Sequence, residues 1–270
     1  MQSWMMQNHP MSEFFVELPD RQVTICADRA GDGPPLIVLN GTASDLRNAP
    51  NALAWPIADH FDVLTFDHRC LGRSKQYDSA HQPEMVDFAD DVLALCDQQG
   101  LDEFAVLGIS FGGMVAQELA IGAGSRVSRM VLACTSSGGA GGASYPLHNG
   151  PPNGTSYDLA LWDSRVGTDD AVTKLITQLF GHRDRPSTPP PGLVQQLSAR
   201  AHHDTFDRLD QITAPTLVAH GLFDGIAPPS NSEAIAKRIP NSVLATFDGG
   251  HPFLWQDRSA WPAVIDFLRS

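Results

Sequence analysis

The stretch Glu103-Phe104-Ala105-Val106-Leu107-Gly108-Ile109-Ser110-Phe111-Gly112-Gly113-Met114-Val115-Ala116-Gln117-Glu118-Leu119-Ala120 decides the fold. Glu103 to Leu107 is a short, mostly apolar run that suits a buried strand, and Met114 to Ala120 is good helix material. Between them a single serine stands between Gly108 and Gly112 at a strand-to-helix turn. So sharp a turn holds the serine backbone in a strained conformation with its hydroxyl exposed. A side chain at either flanking position would collide with the crossing strand or helix, which is why glycine is needed there. Gly113 and Ala116 let the helix approach the sheet closely. Gly-x-Ser-x-Gly alone is a common accident; the strand before it and the helix after it mark Ser110 as a candidate nucleophile.

Strand-like and helix-like segments alternate on both sides of this turn. Phe14 to Leu18 and Gln22 to Ala27 read as an opening hairpin, and Pro35 to Leu39 as a buried strand ending at Asn40-Gly41-Thr42. Phe61 to Phe66 is the next strand. Pro83 to Gln98 is an amphipathic helix, stopped by Gly100. Val127 to Ala133, Pro215 to His220 and Ser242 to Phe247 complete the strands, with helices at Asn231 to Ile239 and Ser259 to Leu268. Repeated strand-helix units give an α/β fold, a mostly parallel central sheet with helices on both faces. The pattern breaks where Ser136 to Gly154 turns rich in glycine, serine and proline. Residues 136–204, with helices expected at Asp169 to Phe180 and Gly192 to His202, read as a small inserted cap. The core is then 1–135 and 205–270.

A serine hydroxyl is a weak nucleophile and needs a base, usually histidine, oriented by a carboxylate. After this kind of turn the three groups follow in chain order serine, acid, histidine. Asp224 follows one late strand in His220-Gly221-Leu222-Phe223-Asp224, and His251 follows the last in Asp248-Gly249-Gly250-His251. Loops after parallel strands emerge at the carboxyl edge of the sheet, so Ser110, Asp224 and His251 can converge there. His68, His202, His203 and His220 are the reserve histidines, and Asp248 is the competing acid. Its place three residues before His251 makes that reach awkward. The adjacent His202 and His203 would diverge on a helix, so no metal site is expected of them. Attack on a carbonyl also needs amide donors for the oxygen: the amide of Phe111, at a helix N-terminus, and that of Thr42, after the strand Leu36 to Leu39. Leu161, Trp162, Phe180 and Leu193, with Phe253 and Leu254 past the base, are candidates for an apolar substrate pocket.

The 270 residues suffice for one α/β domain with an insertion. A net charge of -13 repels nucleic acid phosphates and anionic lipid heads, so neither is expected as a partner. Cys26, Cys70, Cys96 and Cys134 are scattered and form no CxxC pair, which points to free thiols in a reducing compartment. Met1 to Met11 lacks a basic start and a signal-length apolar run, and nothing later approaches a membrane span. A cytoplasmic protein, monomeric or homo-oligomeric, acting on a small molecule without metal or organic cofactor is the expectation.

The order Ser110, Asp224, His251, with Asp67-x-Arg69-x-x-Gly72-x-Ser74 after the preceding strand, resembles the α/β-hydrolase superfamily. Within it, Gly-Ile-Ser-Phe-Gly-Gly-Met-Val-Ala-Gln-Glu-Leu-Ala and the compact cap look most like small esterases and enol-lactonases of the 3-oxoadipate enol-lactonase type. Asn40 departs from the usual histidine of a His-Gly pair, and Cys70 from a usual glycine. The resemblance implies hydrolysis of a carboxylic ester or lactone through an acyl-enzyme. Carbon–carbon cleavage of β-diketone-like substrates and acyl transfer to other acceptors use the same three groups, and a receptor-like binding protein of this fold can keep them. Serine at the turn speaks against haloalkane dehalogenases and epoxide hydrolases, which place aspartate there.

Overall fold

Runs of β-branched and aliphatic residues, each closed by glycine, asparagine or proline, become strands in the order the sequence suggests. The computed structural model describes residues 13–47, 51–145, 159–180 and 191–270. The strands are β1 (Phe14–Leu18), β2 (Val23–Ala30), β3 (Pro35–Leu39), β4 (Asp62–Phe66), β5 (Lys75–Gln76), β6 (Phe104–Ile109), β7 (Val127–Ala133), β8 (Thr216–Gly221) and β9 (Ser242–Phe247). Their spatial order is β1-β2-β4-β3-β6-β7-β8-β9, with β5 on β2. β1, β4 and β5 pair antiparallel with β2, and every pair from β4 to β9 is parallel. β6 and β8 are buried along their whole length, which is why they read as unbroken rather than alternating apolar runs.

The helices are α1 (Met85–Gln98), α2 (Phe111–Ala123), α3 (Asp170–Phe180), α4 (Pro191–Ala201), α5 (Pro229–Arg238), α6 (Phe253–Gln256) and α7 (Ala260–Arg269). α1 opens with a reciprocal cap in which Glu84 accepts from the first-turn backbone and Asp87 reaches back to the Glu84 amide. α1, α2 and α5 bury Phe88, Leu95, Val115, Leu119 and Ile235 against one face of the sheet. On the other face α7 packs Trp261, Val264 and Leu268 beside Leu53 and Ile57. Two cores on opposite faces are the expected result of right-handed strand-helix crossovers.

Element boundaries fall within a few residues of the sequence expectation. β5 was not foreseen: two residues are too short for a pattern, and only pairing to Val23 and Thr24 defines it. Between β7 and β8 the chain builds α3 and α4, as expected. Phe180 ends α3, and its side chain lies outside the described residues. All four cysteines are free. No described helix is long and apolar enough to cross a membrane.

Candidate active site

β6 ends at Ile109 and α2 begins at Phe111, so Ser110 is the entire turn. Its backbone sits at φ 55, ψ -115, a strained conformation for a residue with a side chain. A Cβ on Gly112 would stand 1.9 Å from the Leu39 carbonyl oxygen, and one on Gly108 would stand 2.6 Å from the Gly112 oxygen. Strand, turn and helix therefore meet only if both positions are glycine.

The carboxyl ends of the neighbouring strands are laced to this turn. The Ser110 amide donates to Ala133 O at 2.9 Å, and the Cys134 amide donates to Ala219 O at 2.9 Å. Leu222 in turn donates to Phe247 O at 3.0 Å. Asp224 leaves β8 on this edge with its carboxylate clamped: Oδ1 accepts the amides of Ile226 and Ala227, both at 2.8 Å. Its Oδ2 accepts Nδ1–H of His251 at 2.8 Å, with both side chains buried. That bond fixes the imidazole tautomer, leaving Nε2 as the proton acceptor.

Asp248 is excluded as the orienting acid. It is solvent-exposed and pairs with Arg165 at 2.7 Å. The reserve histidines also fall away as bases. His68 is enclosed by Phe66, Phe88 and Phe111, with ring centroids 5.1 to 5.8 Å away. Burial holds its pKa down to about 4, partly offset by a hydrogen bond to the Asn40 backbone. His203 is buried and likewise depressed to about 4, by burial first and Arg208 second. His202 points the other way, exposed and bonded to Ser198 O. His220 is buried in β8 beside Thr246, and burial lowers its pKa.

Cys134 leaves β7 between the serine and the acid. Its sulfur, the Asp224 carboxylate and the His251 ring each offer an atom within 4.8 Å of the others. Among the described residues this is the one group of three potential metal ligands. Burial, reinforced by Asp224, pushes the Cys134 thiol well above its ordinary range and keeps it protonated.

On the far side of Ser110 lies the loop after β3. A side chain on Gly41 would reach within 3.6 Å of Ser110 Cβ, and Thr42 is the next residue of that loop. The loop is anchored at its ends: Asn40 Nδ2 donates to Thr65 Oγ1 at 3.0 Å, and the Leu46 amide donates to Asp67 Oδ1 at 2.7 Å. Asn40, unlike the usual histidine, thus ties the loop to β4. The Asp67 motif is scaffold. Asp67 Oδ2 accepts the Arg73 amide, Ser74 bridges Asp67 O to the Cys26 amide, and Arg69 grips buried Asp91 through two nitrogens. Phe111 is the first residue of α2, where the amide has no partner within the helix.

The expected pocket residues divide. Trp162 sets its ring edge-to-face on His251 at 5.5 Å, and its carbonyl accepts the His251 amide at 2.6 Å. Leu161 is half-buried next to it, its carbonyl bonded to Gly225 N, and Leu193 is half-buried on α4. Phe253 and Leu254 are a correction. They belong to the apolar core, Phe253 stacked on Phe247 at 5.1 Å, because α6 turns that face inward just after the base. The sequence reading missed Gln196. It is fully buried on α4 and accepts the Ala43 amide at 2.9 Å, and the face it shares with Gln195 and Arg200 carries no apolar pattern that would mark it as inward.

Comparison with known proteins agrees with this architecture. The model of the alpha/beta hydrolase fold family matches residues 34–257. The proline iminopeptidase PfmaB of Pestalotiopsis fici is 28% identical, over 85% of this chain and 89% of that protein. The rhodomycin D methylesterase DauP of Streptomyces sp. strain C5 is 26% identical over the same shares. The crystal structure of the enol-lactonase from Burkholderia xenovorans LB400 superposes with a TM-score of 0.73, covering 95% of this chain and all of that one, at 22% identity. With a serine at the strand-to-helix turn, a clamped Asp–His pair two strands away and a family match across most of its length, this chain belongs to the α/β-hydrolase fold family, as an enzyme.

Proposed function

We propose that the protein is a serine hydrolase that cleaves a carboxylic ester or lactone of a small to medium substrate through an acyl-enzyme. The observation that carries this reading is the 2.8 Å bond from His251 to Asp224, whose other oxygen is held by two amides. An imidazole so oriented takes the proton from Ser110 as its Oγ attacks the carbonyl carbon. The tetrahedral oxyanion falls to the Phe111 and Thr42 amides, with the α2 dipole behind the first. His251 then protonates the leaving oxygen and deprotonates the water that releases the acid. No step calls for a metal or organic cofactor. The segment 136–204 serves as the cap, with Trp162 and Leu161 on the His251 side of the pocket. A methylesterase among the relatives supports the choice of an ester substrate.

The test is exposure to a fluorophosphonate followed by peptide mapping, with Ser110→Ala as control. One adduct on Ser110, lost in the variant, together with turnover of p-nitrophenyl esters or lactones, is the expected result. A folded protein that takes no label and turns over neither substrate class overturns the reading.

A further inference from the structure

α4 crosses the carboxyl edge of the sheet, and its contacts come in strand order. A Cβ on Gly192 would stand 2.0 Å from the carbonyl of Cys70, after β4. Gln196 reaches Ala43, after β3. Just past the helix, Asp204 bridges to Gly138, after β7. β6 lies between β3 and β7, so the helix passes over the exit that carries Ser110. Its 11 residues span about 16 Å, close to the roughly 14 Å across four adjacent strands.

The loop under this helix carries an unusual backbone. Ala43 sits at φ 60, in the left-handed region that alanine disfavours. Its amide has one acceptor, Oε1 of fully buried Gln196. Because the partner is an N–H, the side-chain oxygen must face it, which leaves Nε2 turned away. That Nε2 and the Thr42 Oγ1 are buried without a hydrogen-bond partner among the described residues. Asn40 and Leu46 hold the ends of the loop to β4 and its exit, whereas its middle is held by α4.

We propose that Gln196 is the positioning residue of the oxyanion loop: it holds Ala43 in the left-handed turn and so aims the Thr42 amide at the carbonyl oxygen bound at Ser110. The proposal rests on the serine-hydrolase reading and deepens it. The hole is complete only while α4 is seated over the sheet edge, so cap placement and oxyanion stabilisation are one event. Gln196 touches no reacting atom itself.

The experiment compares wild type, Gln196→Leu and Gln196→Leu/Ala43→Gly, with Gln196→Met as a second acceptor-free variant should the leucine form fail to fold. Readouts are kcat and KM on a p-nitrophenyl ester, inhibition by a trifluoromethyl ketone whose serine adduct carries the oxyanion, and fluorophosphonate labelling. Loss of the acceptor should lower kcat roughly thirty- to a hundredfold with little change in KM, and weaken the ketone by a similar factor. Glycine at position 43 removes the left-handed penalty, so the double variant should regain about fivefold in kcat. A folded Gln196 variant with wild-type kcat and ketone affinity overturns the proposal, as does a loss that glycine fails to relieve. A wild type that takes no label on Ser110 removes the hydrolase reading and this proposal together. A labelled wild type with an unimpaired Gln196 variant removes this proposal alone.

Discussion

Acidification should expose the cost of keeping His68 neutral. The ring is 1% exposed among three phenylalanines, and burial holds its pKa at about 4 against an ordinary 6.5. Between those values the unfolded chain binds a proton that the native state does not, so native stability falls as pH drops through this window. From pH 7 to pH 5 the unfolded state gains about 2 kcal/mol from this residue alone, because each unit of pKa difference is worth about 1.4 kcal/mol. His203, also held near 4, contributes a similar slope. Replacing His68 by Phe keeps a ring in the aromatic cluster and removes the titration. It also loses the bond to the Asn40 backbone, costing about 1 kcal/mol at pH 7. Urea melts of both proteins from pH 7.5 to 5 should therefore cross: the variant is the weaker at pH 7 and equal or better near pH 5. Parallel curves, with a constant gap at every pH, would refute the reasoning, since His68 would then titrate alike in both states.

Three further outcomes follow from the geometry. Asp224→Asn presents an amide where Oδ2 accepted the imidazole proton, so kcat should fall by about 10⁴ while the thermal melt stays close to wild type. Ser110→Gly relieves a strained φ of 55 and should raise stability by about 1–2 kcal/mol in urea melts, with esterase turnover lost. Arg69→Lys keeps the charge but cannot grip Asp91 through two nitrogens; with both groups almost fully buried, the cost should be about 3–5 kcal/mol by denaturant midpoint.

The strands of the parallel sheet were legible because buried runs such as Phe104–Ile109 and Val127–Ala133 end at sharp breaks in composition. Ser110 was legible because its two flanking glycines answer a steric demand the structure displays directly, at the Leu39 and Gly112 carbonyls. Asp224 and His251 followed from strand order, since each is the first suitable group past a strand exit. Side-chain direction was harder. Phe253 and Leu254 lie next to His251 in sequence, yet one helical turn sends them into the core. Gln196 reads as an ordinary polar helix residue; what makes it an inward one is the crossing of α4 over the sheet edge, a tertiary fact with no local pattern. The left-handed Ala43 is equally silent, because alanine gives no hint of a positive φ.

The parallel register of β6, β7 and β8 acts as a ruler. Val106 pairs with Met130 and Met130 with Thr216, so two strand spacings, about 10 Å, separate the exits that carry Ser110 and Asp224. An imidazole arriving from β9 closes that interval. The long excursion carrying α3 and α4 leaves after β7 and returns at β8, yet the hydrogen bonds between those strands set the interval whatever the excursion contains. Its length and sequence can therefore be rewritten to fit a new substrate while the distance from serine to acid stays as the sheet sets it. The exceptions are the points where the excursion touches the site: the Leu161 and Trp162 carbonyls, which hold the Gly225 and His251 amides, and Gln196, which holds the loop beside the nucleophile.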